Sequence, residues 1–206
     1  PKPSRGQVQI AVQAAGICGT DIHIRHDTFP YRPPVVLGHE FSGTISAVGA
    51  GVEGLAVGDR VMSETTGVLC GTCPFCQRGE TNNCMNRSVY GVHMNGGFAE
   101  YVAVRREAVH ALPQNVDFVA GAMTEPLAVC VHALIERTKV SAAQVVLITG
   151  PGPIGLLAAM VAKAQGATVI VAGIARDAAR LKLAAEVGAD LTVAVDQEDL
   201  AQKIRP

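Results

Sequence analysis

The stretch "VVLITGPGPIGLLAAMVAKAQGATVIVAG" (Val145–Gly173) decides the fold. The apolar run Val145 to Thr149 predicts a strand, and apolar positions at helical spacing predict a helix from about Ile154 to Gln165. A second strand is expected at Val169 to Gly173, a second helix at about Arg176 to Val187 and a third strand at Leu191 to Val195. Strands that alternate with helices of this length need right-handed crossovers, which generate a parallel sheet. A complete doubly wound sheet has about six strands. The chain is therefore expected to stop near the middle of a nucleotide-binding domain.

The turn between the first strand and helix, "GPGPIG", spaces Gly150, Gly152 and Gly155 as G-x-G-x-x-G, with Pro151, Pro153 and Ile154 between them. The first Gly permits the tight turn, the second lets backbone approach a pyrophosphate, and the third lets helix and strand pack closely. Phosphates then sit at the helix N-terminus, where unpaired N–H groups and the helix dipole favour anions. The triplet alone is a weak signal, but it stands here in the strand–turn–helix context that a dinucleotide site requires. An acidic residue about twenty positions on would bind the ribose hydroxyls of NAD. Gly173 and Ile174 occupy that region, so the reading leans to NADP, with Arg176 pairing a 2′-phosphate. The alternative is that Asp177 fills the acidic role from the loop.

The half before Val104 has a different texture. Runs such as "GQVQIAVQAAGI", "GTISAVGAGV", "GDRVMS" and "GFAEYVAV" predict short strands of a barrel or sandwich. After Pro113, "DFVAGAMTEPLAVCVHALIERT" predicts one connecting helix. The 206 residues are 49% hydrophobic and 17% charged, enough for a sizeable core. A formal charge of −1 and no basic run argue against nucleic acid as a partner. No apolar run reaches the ~18 residues of a membrane span and no signal peptide is visible, so the expected location is the cytoplasm. The missing initiator Met and the ending "AQKIRP" predict a fragment.

In a reducing compartment, clustered cysteines bind metal more often than they pair. "LCGTCPFCQRGETNNC" (Leu69–Cys84) spaces Cys70, Cys73, Cys76 and Cys84 as C-x2-C-x2-C-x7-C. Four thiolates in one loop suit a closed, structural zinc site. An iron–sulfur cluster is the rival, but the ferredoxin run continues x3-C-P, and here the fourth cysteine follows seven residues later. Unbound thiols are the third reading.

A second constellation is dispersed over "GICGTDIHI" (Cys18, Thr20, Asp21, His23), "VLGHEFSG" (His39, Glu40) and "MTEPLAV" (Glu125). Gly38, His39, Glu40, Gly43, Gly49 and Val52 match G-H-E-x2-G-x5-G-x2-V, followed in order by "GDRV", the cysteine lobe and "GPGPIG". In this the whole chain resembles the zinc-dependent medium-chain dehydrogenases/reductases. The resemblance implies a GroES-like β-barrel catalytic domain at 1–126, with a structural zinc lobe at 69–85, and a partial Rossmann NAD(P)-binding domain at 127–206. It implies a catalytic zinc held by Cys18 and His39, with Glu40, Glu125 or water completing the shell, and a proton relay through Thr20 and His23. Such an open site lets zinc acidify an alcohol, and the unperturbed pKa of His, about 6.5, suits a relay.

"CGTDIH", the four-cysteine lobe and "EPLAV" look most like the sorbitol or polyol dehydrogenase branch, with L-threonine dehydrogenases as the alternative. The implied substrate is a small secondary alcohol or polyol, and the implied full-length protein a homo-oligomer. The other readings are a zinc-ribbon-like binding module and a truncated, non-catalytic relative; residues 1–206 alone are expected to be inactive and weakly stable. His26, His93, His110, His132 and Cys130 are expected to be packing or surface residues.

Overall fold

The computed structural model describes residues 1–205. The chain forms two compact units, Pro1–Glu125 and Pro126–Pro206. Those of the first are β1 (Gln7–Gly16), α1 (Gly19–Arg25), β2 (Glu40–Val48), β3 (Arg60–Ser63), β4 (Thr66–Val68), α2 (Pro74–Gln77), β5 (Ser88–Val89), β6 (Tyr101–Arg105), β7 (Val109–Ala111) and α3 (Phe118–Ala122). The chain continues with α4 (Thr124–Val131), β8 (Val145–Thr149), α5 (Pro153–Ala164), β9 (Thr168–Gly173), α6 (Ala178–Glu186), β10 (Leu191–Ala194) and α7 (Leu200–Ile204).

In the first unit five antiparallel strands run in the order β6-β1-β2-β3-β7, and β4 pairs with β5. Alternation along β1 sends Val8 and Ile10 inward, where they meet Phe41, Ile45, Val61, Val102 and Val104. Tyr90 joins this core because its hydroxyl accepts a hydrogen bond from the Arg105 N–H at 3.0 Å, which relieves the cost of burying it. The β1–β2 register slips between Gln9 and Ile10 and again between Val12 and Ala14. Such bulges bend a strand and raise its twist, and beyond them Gly16 pairs with Glu40.

The single connecting helix expected after Pro113 is broken. α3 is capped by Asp117, whose carboxylate accepts the Ala120 N–H at 2.8 Å, and ends at Ala122. α4 follows from Thr124, and its last turns widen into a π-helix at His132–Arg137. Pro126 explains the break: it has no N–H to give to the Ala122 carbonyl, and its ring would collide with that group in a continuous helix. The Pro is instead accommodated in the first turn of α4, where no N–H is needed.

In the second unit β10, β9 and β8 form a parallel sheet with β9 in the centre. β9 is buried from Val169 to Gly173, as a strand covered on both faces must be, whereas edge strand β8 alternates between half-buried and exposed positions. The small residues Ala159 and Ala162 of α5 let the helix lie close to Val169 and Val171. Burial of each such Val contributes about 1.5–3 kcal/mol before chain entropy is counted. The second helix begins later than its pattern suggests. A 3-10 turn, Ala175–Asp177, precedes α6, and the Asp177 carboxylate accepts the Ile174 N–H at 3.3 Å. Among the described residues no helix is long and apolar enough to cross a membrane.

Candidate metal centres and nucleotide cavity

Three local devices bring Cys18, His39 and Glu40 together. Cys18 precedes α1 in extended conformation, and the Asp21 carboxylate one turn later accepts its N–H at 2.9 Å. The other oxygen of Asp21 accepts the Gly38 N–H at 3.3 Å and faces His39 Nδ1 at 3.6 Å. Gly38 has φ +91°, and a Cβ there would lie 2.5 Å from the Phe98 ring, so only glycine turns the chain here and aims His39 inward. Glu40 opens β2 against bare Gly16, where a Cβ would sit 2.2 Å from Glu40 Oε2. One donor atom from each of Cys18, His39 and Glu40 lies within 4.8 Å of the others.

The electrostatics fit a cation. The Cys18 thiol is lowered by its hydrogen bond with His39, against burial, with further help from Thr20. Burial alone would lower His39, but Cys18, Asp21 and Glu125 outweigh it and raise the imidazole. Buried Asp21 therefore secures a proton on Nδ1 and leaves Nε2 as the nitrogen able to bind a metal, the usual carboxylate–histidine arrangement. His39 Nδ1 is buried with no hydrogen bond of its own, which makes the Asp21 charge its main support.

Glu125 lies outside the compact triad but lines the same cavity of about 210 Å³ as His39 and Thr20. Burial raises its carboxyl, as does Glu40, against the pull of His39. His23, three residues after Thr20 on α1, is exposed and hydrogen-bonded through Nδ1 to Thr28 Oγ1 at 3.1 Å. Arg87 and His93 are among the other residues that line this cavity. His93 was expected to be a packing or surface residue and Arg87 carried no motif; both enter because the chain folds back after Cys84. His110 and His132 pair with Glu64 and Glu136, His26 is exposed, and buried Cys130 donates to the Ile154 carbonyl.

In the cysteine lobe Cys84 Sγ is 3.6 Å and Cys76 Sγ 3.9 Å from Cys70 Sγ. A tetrahedron with metal–sulfur bonds of about 2.3 Å has edges of about 3.8 Å, so the four sulfurs already frame one. All six cysteines are free, and these separations far exceed the roughly 2.05 Å of a disulfide. The N–H groups of Thr72 and Cys73 draw Cys70 down to about 5, while burial and the hydrogen bond with Cys84 push Cys76 up to about 12. Four crowded sulfurs cannot all ionise without a cation to offset them.

In the second unit a cavity of about 750 Å³ opens at the C-terminal ends of the parallel strands, lined by Thr149, Gly150, Gly173, Ile174, Asp177 and Val195 among others. Gly152 caps α5 and Pro153 takes its first position. A Cβ on Gly155 would lie 2.0 Å from the Gly150 carbonyl oxygen, the close approach for which the third glycine is needed. Asp177 lines the cavity, whereas Arg176 is exposed.

Residues 4–114 match the alcohol dehydrogenase GroES-like domain and residues 153–206 match the zinc-binding dehydrogenase domain. Over 204 residues the chain is 48% identical to a sorbitol dehydrogenase of Halalkalibacterium halodurans, covering 99% of this chain and 59% of that protein. It is 45% identical to a D-arabitol-phosphate dehydrogenase of Enterococcus avium, covering 99% and 58%. An NADP-bound structure of a Sinorhizobium meliloti protein assigned as a zinc-binding dehydrogenase superposes with a TM-score of 0.93 at 42% identity, over 99% of this chain and 59% of that one. The chain thus spans 58–59% of the length of these relatives.

Proposed function

The chain belongs to the zinc-binding dehydrogenases that carry an alcohol dehydrogenase GroES-like domain, and from that membership we propose that the full-length protein oxidises a secondary alcohol or polyol with NAD or NADP. The observation that carries the reading is the meeting of Cys18, His39 and Glu40, of which His39 lines a cavity together with Thr20 and Glu125. In this reading residues 1–126 are the catalytic domain and 127–206 the first part of the nucleotide-binding domain. A zinc ion held there would supply Lewis acidity towards a substrate hydroxyl, and a nicotinamide cofactor would supply the hydride acceptor.

The chain's own residues do the rest. Cys18 and His39 hold the metal, Glu40 and Glu125 are the carboxylates able to complete or exchange its shell, and Asp21 fixes the His39 ring. Thr20 Oγ1, in the cavity wall, takes the hydroxyl proton, and His23, exposed one turn later, delivers it to solvent. Cys70, Cys73, Cys76 and Cys84 would hold a second zinc, and four thiolate ligands would leave it a structural role in shaping their loop. At the nucleotide, the Gly150–Gly155 turn with Pro151, Pro153 and Ile154 receives the pyrophosphate. The absence of a carboxylate at Gly173 leaves room for a 2′-phosphate that Arg176 would pair, and Asp177 is the group that would favour NAD instead. A cytoplasmic location and a homo-oligomeric whole protein belong to the same reading.

Metal analysis and a substrate panel on the full-length protein test this. Two zinc ions per subunit and polyol-dependent reduction of NAD or NADP are expected. Oxidation of L-threonine with no polyol activity would replace the polyol reading with the alternative branch, and a single metal with no turnover would overturn both.

A further inference from the structure

We propose that the cavity beside Cys18 and His39 takes a polyol or hydroxy compound bearing an anionic group, a phosphate monoester or a carboxylate, and that Arg87 binds this group. The proposal rests on the dehydrogenase reading for its reaction, but the observations behind it are separate. Arg87 lines the same cavity of about 210 Å³ as Thr20, His39 and Glu125. Its guanidinium donates from Nη1 to the Asn82 carbonyl, and among the described residues no carboxylate pairs with it. Some cations of the chain are neutralised, as Arg78 is by Glu80, Arg105 by Glu64 and Glu107, and Lys163 by Asp190, whereas Arg87 stands at the cavity without such a partner among the described residues.

Five N–H donors in a fixed fork match the oxygens of a phosphate or carboxylate, and here most of the fork is unspent. Glu125 lies in the same wall, and burial raises its carboxyl. His93, also in the cavity wall, accepts the Val89 N–H at Nδ1 and is lowered by burial and then by the positive fields of Arg32 and Arg87. Arg32 likewise has no carboxylate partner among the described residues. A polyol that carries only hydroxyls needs neutral donors and acceptors, and a cationic wall adds little selectivity for it. An anionic terminus gains charge-assisted, two-pronged hydrogen bonds.

The test uses the full-length, zinc-loaded protein with D-arabitol, D-arabitol 1-phosphate and D-gluconate as neutral, phosphorylated and carboxylated probes. Wild type is expected to prefer one of the two anionic probes over the neutral one. Arg87→Gln should lower the anionic-to-neutral ratio of kcat/KM about 10- to 100-fold, chiefly through KM. Arg87→Lys, which keeps the charge without the fork, should recover part of the ratio. Which anionic probe is preferred separates phosphate from carboxylate.

Calorimetric titration of inorganic phosphate and of gluconate gives a readout that needs no turnover. If no probe is oxidised but anion binding is lost in Arg87→Gln, the anion site stands and the dehydrogenase reading fails. An anionic-to-neutral ratio that Arg87→Gln leaves unmoved overturns the proposal, as does anion binding that is undiminished in the variant.

Discussion

Replacement of Gly16 by Ala, one methyl group added on β1, is predicted to weaken metal binding at the proposed Cys18–His39–Glu40 site and leave the fold intact. The new Cβ would sit 2.2 Å from Glu40 Oε2, but already 3.2 Å and 3.3 Å from the Cβ and Cδ of Glu40. The carboxylate tip has to retreat most, by roughly 1 Å, to reach the 3.4 Å of ordinary contact, and the Cβ and Cδ of Glu40 by a few tenths of an ångström or less. Rotation of a flexible side chain achieves this at little cost to folding, and the loss of glycine freedom in the unfolded chain returns about 0.4–1 kcal/mol. A metal site tolerates errors of only about 0.2 Å in its ligand distances. The expected loss of zinc affinity is about 10- to 100-fold, equivalent to roughly 1.4–2.8 kcal/mol. Competition with a graded chelator, read by metal analysis of the full-length protein, measures it, and the cysteine lobe serves as an internal control. Stoichiometry should fall from two ions towards one while the melting temperature of the metal-free protein stays level or rises. Unchanged affinity at the first site would refute Glu40 as a ligand and the reason given for Gly16.

Asp21→Asn removes the charge that faces His39 and is expected to cost about 10- to 100-fold in affinity at the same site, by the same chelator competition. Thr20→Val should lower kcat by about 10²- to 10⁴-fold with metal content retained, since it removes the hydroxyl that takes the proton; a normal kcat would exclude the relay. Cys84→Ser should strip the lobe of its metal and lower the unfolding midpoint of the first unit, visible as faster proteolysis between Leu69 and Cys84. Asp190 is held below the usual carboxylate range by Lys163 at 2.5 Å and by the Val169 N–H at 2.8 Å. Its contribution is present above its unfolded pKa, about 3.9, and is lost as pH falls through the lower folded value. Asp190→Asn should therefore destabilise the protein at pH 7 and converge with wild type in strong acid, as measured by urea unfolding at each pH.

Sequence by itself determined the class of each half and the identity of most donors. Period-two runs and the alternation of strand and helix are local properties, imposed by side-chain direction along the backbone. They located β1 and the β8–α5–β9 unit to within a residue or two, and β2 to within three or four. Local spacing also exposed the cysteine lobe, because its ligands lie within one loop of the chain. It failed at Pro126, where apolar periodicity continued through a residue that cannot extend a helix.

The clustering of the proposed donors Cys18, His39 and Glu40 was decided by tertiary structure. Cys18 and the pair His39 and Glu40 meet because a left-handed turn at Gly38, the Asp21 carboxylate and the bare edge of Gly16 hold two distant segments together. Arg87 and His93 were illegible for the same reason. They belong to no motif, and a side chain acquires its chemical setting from the groups that folding brings against it, which for these two come from segments far away in the chain.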